Sequence, residues 1–170
     1  MMAEAPLGAP EPLAEDHVLD GFTCGAPTLD HWLARKARAN QASRTSRTYV
    51  LCRGRQVVGY YALAAGSVSH SLAPGGIRRN MPDPSPVIVL GRLAIATGEQ
   101  GRGLGHALLR DAVLRSATAA REVCITAILV HALEARARAF YLGSGFVESA
   151  LDPMILMLRM KDVRALLDQG

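Results

Sequence analysis

The stretch Gln100-Gly101-Arg102-Gly103-Leu104-Gly105 is the part of this sequence whose residue types and spacing most directly imply a chemistry. It follows an almost continuously apolar run, Val87–Ile95, and opens a segment with helical periodicity. Glycines let the chain turn tightly and let a ligand approach the main chain. The first N–H groups of a helix have no partner within it, and the helix dipole favours an anion there. Arg102 adds a positive charge beside them, so the expected ligand is a pyrophosphate. A Rossmann loop would carry a third glycine where Leu108 stands, and it would sit near the chain start rather than after β-type runs. A Walker loop needs Gly-Lys-Ser/Thr, which is absent. A glycine-rich turn that binds nothing is the alternative, and it must be set against the agreement of strand, loop and helix.

Other reactive side chains give weaker patterns. His17, His31, His70, His106 and His131 show no metal-ligand spacing, and Ser43 and Ser144 lack a nucleophile-elbow context. The three cysteines, Cys24, Cys52 and Cys124, are odd in number and have no paired spacing. That argues against a disulfide framework and against zinc, and no metal is expected. Cys52 and Cys124 lie in apolar runs and read as small buried residues, as suits a reducing cytoplasm. The 170 residues are 49% hydrophobic and 20% charged, enough to bury a core and to exclude a disordered chain. The net charge of +4 suits an anionic partner, a phosphate-bearing cofactor or a nucleic acid, or serves solubility alone. Met1–Pro12 has neither a basic start nor an apolar core, so it does not read as a signal peptide, and no stretch is apolar enough to span a bilayer. A cytoplasmic protein with no membrane partner is expected.

The elements that must position the loop follow from periodicity. Residues 1–12 read as a flexible tail because Pro6, Pro10 and Pro12 oppose regular structure. An extended piece is expected over Leu13–Leu19, and then a helix capped by Thr28 with Leu29, Trp32, Leu33 and Ala37 on its apolar stripe. Thr48–Cys52 and Val57–Ala65 form a hairpin. A proline-rich loop fills His70–Pro86, and Val87–Ile95 is a central strand buried on both faces. A helix runs from the glycine loop to about Ala120, with Gly105, Leu108, Leu109, Ala112, Val113 and Ser116 facing the core. Val123–Val130 is a further strand, Leu133–Leu142 a helix, Phe146–Ala150 and Met154–Met160 closing strands, and Asp162–Leu167 a last turn or two of helix. This is an α/β chain with a mixed sheet flanked by helices.

Gln100-x-x-Gly103-x-Gly105, the strand before it and Ala139-Phe140-Tyr141-Leu142-x-x-Gly145-Phe146 after it resemble the GNAT N-acetyltransferases, over roughly Leu13–Met160. Within that family, Cys24-Gly25, Trp32-Leu33, Ser43-Arg44-Thr45, Val57–Leu63, Arg78–Pro82, Val89–Ala94 and Leu129–Ala132 are similar to the TacT-like toxins of toxin–antitoxin modules. The resemblance implies a GNAT fold over a single domain, 13–170, with a mostly antiparallel sheet. It implies acetyl-CoA as co-substrate, with its pyrophosphate on Gln100, Gly101, Arg102, Gly103, Leu104 and Gly105, and backbone amides of Leu93, Ala94 and Ile95 serving pantetheine and oxyanion. It also implies an activity, acetylation of the amino group of aminoacyl-tRNA, which stops translation. Its implied partners are a ribbon-helix-helix antitoxin that carries the complex to operator DNA, and a second copy in a homodimer.

An α-amino group has a pKa near 8 and is partly neutral at working pH, so a strong base is dispensable. No Glu or His stands out as one. Tyr141 takes the family's tyrosine position as general acid for the leaving thiolate; its structural alternative is packing beside Phe140 and Phe146. Arg35, Lys36, Arg38, Arg44, Arg47, Arg78, Arg79 and Arg92 would serve RNA phosphates. Solvated surface charge is the stronger reading for Lys36 and Arg38. Arg78 and Arg79, a basic pair in a loop, and Arg92 are the expected tRNA contacts; for Arg92, a guanidinium in an apolar strand needs a partner or a wet cleft. The competing functions are acetylation of a small amine or protein N-terminus, and a non-catalytic acetyl-CoA-binding module.

Overall fold

A computed structural model describes residues 4–75 and 81–168. The elements are β1 (Glu11–Pro12), α1 (Pro27–Arg35), α2 (Ala37–Ala42), β2 (Arg47–Arg53), β3 (Gln56–Val68), β4 (Ser85–Ile95), a 3-10 turn (Thr97–Glu99), α3 (Leu104–Glu122), β5 (Ala127–His131), α4 (Ala135–Gly143), β6 (Val147–Glu148), β7 (Ile155–Arg159), a second 3-10 turn (Met160–Asp162) and α5 (Val163–Leu167). The sheet order is β1-β2-β3-β4-β5-β7-β6. β4 and β5 pair parallel, while β1–β2, β2–β3, β5–β7 and β6–β7 are antiparallel. The mixed, mostly antiparallel sheet is the expected one. No helix among the described residues is long and apolar enough to cross a membrane.

The chain divides into two compact units, the first running to Ala64 and resuming over Arg92–Asp111, the second comprising Ala65–Gly91 and the chain from Ala112. The first unit's core joins Leu33 and Ala37 of the α1–α2 stripe to Val50, Val57, Tyr60 and Ala94, with Leu29 and Trp32 packed against it. Its hairpin closes with Gly54 in the left-handed region (φ 59°), where a side chain would be strained. The second unit's core joins Val68, Ala73, Val87, Ala127 and Met157.

Several boundaries differ from the expectation. The N-terminal segment is no free tail: Gly8 N–H donates to Cys52 O (2.9 Å), and Glu11–Pro12 pair with Val50 and Tyr49. An edge strand tolerates proline because one of its sides needs no ladder donor. Leu13–Leu19 is not extended throughout, since Ala14–His17 forms a turn stabilised by Arg38, which donates to the carbonyls of Ala14, Glu15 and His17. Thr28 is not the cap of α1. Pro27 already occupies the first turn, where its missing N–H costs nothing, and the cap position is Ala26. Asp30 instead accepts from Cys24 N–H (2.8 Å) and Thr23 Oγ1 (3.2 Å), fastening the preceding loop. β5 begins at Ala127 rather than Val123: α3 runs on to Glu122, Val123 is 64% exposed, and Cys124 is exposed too. β4 is not buried along its whole length, since Gly91 is exposed and Arg92 and Leu93 are half-buried.

Candidate active site

The glycine loop belongs to the first unit and is pinned on both sides. Ala96 N–H donates to Val58 O (2.8 Å) and Thr97 N–H to Thr23 O (2.8 Å). Gln100 spends its side-chain amide on Cys24 O (2.9 Å) and Ile95 O (2.8 Å), bracing the loop against the end of β4. Gly101 and Gly103 take φ of 82° and 80°, and among the described residues beyond its chain neighbours no atom lies within 4 Å of the position a Cβ would occupy at either. The α3 ladder starts with Ala107 N–H donating to Gly103 O (3.2 Å), so the amides of Leu104 and Gly105 precede it. Open space over two glycines and amides ahead of a 19-residue helix fit an anionic pyrophosphate. Leu93, Ala94 and Ile95 end β4, whose parallel register with β5 finishes at Leu90↔Val130. A Cβ on Gly59 would stand 2.9 Å from Ile95 Cδ1 and 3.2 Å from Leu108 Cδ1, so β3 approaches this strand end as closely as glycine allows.

Three features here escape a reading of neighbours in sequence. Arg92 has its guanidinium carbon 4.9 Å from the Trp32 ring centroid, and Trp32 stacks on Tyr60 (5.9 Å, 6°). The partner demanded by a guanidinium in an apolar strand is thus, in part, an aromatic face. Tyr60 donates to Leu29 O (2.6 Å), and burial pushes its phenol above the usual range. The buried Glu99 accepts from Arg53 (Nε–Oε1 2.6 Å, Nη2–Oε2 3.1 Å) and from Arg102 Nη1 (3.2 Å), which holds its carboxyl below the ordinary carboxylate range. Glu11, His17 and Cys52 bring their side chains within 4.8 Å of one another. Ala14 N–H donates to His17 Nδ1 (2.8 Å), which leaves the ring hydrogen on Nε2 facing Glu11 Oε1 (2.5 Å). That pattern is a strut between the N-terminal segment and the sheet.

Tyr141 lies in the second unit, on α4, 7% exposed and packed between Phe140 (5.1 Å, edge-on) and Phe146 (5.5 Å). Burial raises its phenol well above the usual value. Among the described residues the hydroxyl has no hydrogen-bond partner. Gly145, at φ 102°, ends the turn after α4 and returns the chain to Phe146. Arg35, Lys36, Arg44 and Arg47 are exposed, and among the described residues none of the four is in an ion pair. Arg78 and Arg79 lie outside the described residues. Burial lifts the thiols of Cys24 and Cys52 to about 11.

A family model described as the acetyltransferase (GNAT) domain matches residues 44–148, which include the glycine loop and Tyr141. The chain belongs to the GNAT acetyltransferases. It is 53% identical over 159 residues to a tRNA-acetylating toxin of Mycobacterium tuberculosis, covering 94% of this chain and 96% of that one. Its fold is similar to AtaT complexed with acetyl-methionyl-tRNAfMet (TM-score 0.87, 30% identity, 95% of this chain and 99% of that one). It is similar also to a mutant AtaT toxin bound to the C-terminus of the antitoxin AtaR and acetyl-CoA (TM-score 0.82, 29% identity, 96% and 99%). As a GNAT enzyme it is an acetyltransferase, and the Gln-x-x-Gly-x-Gly loop stands at a strand end and helix start as the sequence led one to expect.

Proposed function

We propose that this GNAT chain is the toxin of a type II toxin–antitoxin module and transfers acetyl from acetyl-CoA to the α-amino group of aminoacyl-tRNA, inhibiting translation. The observation that carries this reading is the 53% identity, over 94% of the chain, to a tRNA-acetylating toxin. Acetyl-CoA supplies the activated acyl group as a thioester; the chain's own residues bind and orient it. The amides of Gly101–Gly105 and the Arg102 side chain hold the pyrophosphate, and the amides of Leu93, Ala94 and Ile95 stabilise charge on the acyl oxygen. The substrate amine attacks the acyl carbon, a carbon–nitrogen bond forms and the carbon–sulfur bond breaks. Tyr141 gives its phenolic proton to the departing sulfur, the amine's surplus proton leaves to solvent, and the phenolate takes a proton back from solvent. A phenol kept protonated by burial supports that role. Arg78, Arg79 and Arg92 are the phosphate and acceptor-end contacts, within one acetyltransferase domain over 13–170. A ribbon-helix-helix antitoxin neutralises the toxin and carries operator-DNA binding, the toxin itself is a homodimer, and the complex is cytoplasmic.

The test is a reconstituted translation reaction supplied with the chain and acetyl-CoA. Synthesis should stop, and peptidyl-tRNA hydrolase with fresh charging should restore it. Normal synthesis, together with acetylation of free amines or protein N-termini, would overturn the tRNA reading and leave the acetyltransferase.

A further inference from the structure

Glu99 sits where a negative charge is least expected, directly before a loop that receives an anion. It ends the 3-10 turn Thr97–Glu99 and is only 7% exposed. Both carboxylate oxygens are taken: Arg53 Nε donates to Oε1 (2.6 Å), while Arg53 Nη2 (3.1 Å) and Arg102 Nη1 (3.2 Å) donate to Oε2. Arg53 is itself anchored, its Nη1 donating to Ala5 O (3.1 Å). Arg102, three residues along, is half-exposed, so its guanidinium has donors left for a ligand. A carboxylate with both oxygens held by guanidinium donors is not a general base. Arg53 also faces the exposed carboxylate of Glu4 (3.9 Å), so it is held from both sides, while among the described residues Arg102 is tethered to Glu99 alone.

We propose that Glu99 is a positioning residue for the acetyl donor: backed by Arg53, it tethers Arg102 in the orientation that meets the pyrophosphate on the glycine loop. The proposal rests on the acetyl-CoA reading above. Without the tether, Arg102 would have to give up the freedom of a long exposed side chain each time it bound. Positioning and simple electrostatics make opposite predictions. Glu99→Gln removes a negative charge beside the anion, so Coulomb attraction alone would tighten CoA binding. Loss of the tether loosens it.

The experiment measures CoA affinity by calorimetry for the full chain and for Glu99→Gln, Glu99→Asp, Arg102→Gln and the Glu99→Gln/Arg102→Gln pair, with thermal melts and steady-state kinetics alongside. Glu99→Gln should weaken CoA binding roughly fivefold to tenfold, the scale of one oriented charge-assisted contact. The KM for acetyl-CoA should rise with it while kcat stays near that of the parent chain. The double variant should bind no worse than Arg102→Gln alone, because the two residues act as one unit. Glu99→Asp keeps the charge and shortens the arm, so it too should weaken binding while preserving a carboxylate for Arg53 and the fold. CoA affinity unchanged or tighter in Glu99→Gln and unchanged in Glu99→Asp, or losses that multiply in the double variant, would overturn the proposal. A parent chain that binds no CoA would overturn the donor reading, and this inference with it. Normal parent binding with unaffected variants would overturn only the role of Glu99.

Discussion

A phenol that gives a proton to a departing thiolate must keep that proton until the carbon–sulfur bond breaks. Under the proposed mechanism, Tyr141 would meet the requirement by burial between Phe140 and Phe146. Tyr141→Phe retains the ring packing and removes only the hydroxyl. Turnover should fall by roughly two to three orders of magnitude, the usual weight of a general acid, with CoA affinity unchanged. Because the phenol's pKa is raised, Tyr141 stays in its acid form through neutral and mildly alkaline pH. The pH–rate profile should therefore rise as the substrate amine deprotonates and show no alkaline decline from this residue; a decline near the ordinary tyrosine value that Tyr141→Phe abolished would refute the shift. The role proposed for Tyr141 comes from its motif. Arg92 was legible only as an oddity, since its aromatic partner Trp32 is distant in the chain and periodicity carries no information about tertiary neighbours.

At the scale of elements, the loop and the end of α2 show opposite uses of the left-handed region. Gly101 and Gly103 adopt it with open space around them, so alanine there would meet no clash, only backbone strain. Gly103→Ala should cost about 1–2 kcal/mol of stability, measured by denaturant titration, and under the proposed donor site it should weaken CoA binding by disturbing the amides. Arg44 adopts the same region (φ 63°) without glycine's freedom, at the residue after the Ser43 cap, where Thr45 N–H donates to Asn40 O (2.9 Å). That is a Schellman-type ending, in which glycine is usual. Arg44→Gly should leave stability unchanged or raise it by up to about 1 kcal/mol, and under the tRNA reading it should weaken RNA binding; a loss of stability instead would show that the side chain holds the turn. The hairpin and α3 were legible because turn chemistry and helical spacing are local. The start of β5 was not, since Val123 extends an apolar run yet faces solvent just beyond the last helical turn.

For the whole chain, the N-terminal segment is the part whose role sequence reasoning missed, because prolines that forbid a central strand are admissible at an edge. Removing residues 1–12 would take away the Gly8–Cys52 bond, the Ala5 anchor of Arg53 and the Glu11–His17 contact. At about 1 kcal/mol for each lost bond, the truncated chain should melt measurably lower, and an unchanged melting temperature would mean the segment only rests on β2. Stability should also respond to acid through Glu99. Its folded-state pKa is depressed, chiefly by Arg53, below the ordinary 4.5. Its contribution is therefore complete above that value and is lost as pH falls through the lower, folded one, and Glu99→Gln should flatten this part of the acid-stability profile. The three cysteines, finally, make the chain self-selective towards an electrophile. Cys24 and Cys52 are held as thiols by burial, while Cys124 stands exposed between α3 and β5. A maleimide dye at neutral pH should thus attach at Cys124 ahead of the other two, which gives the unaltered chain a fluorescent reporter at one known position for testing whether the proposed antitoxin and RNA bind.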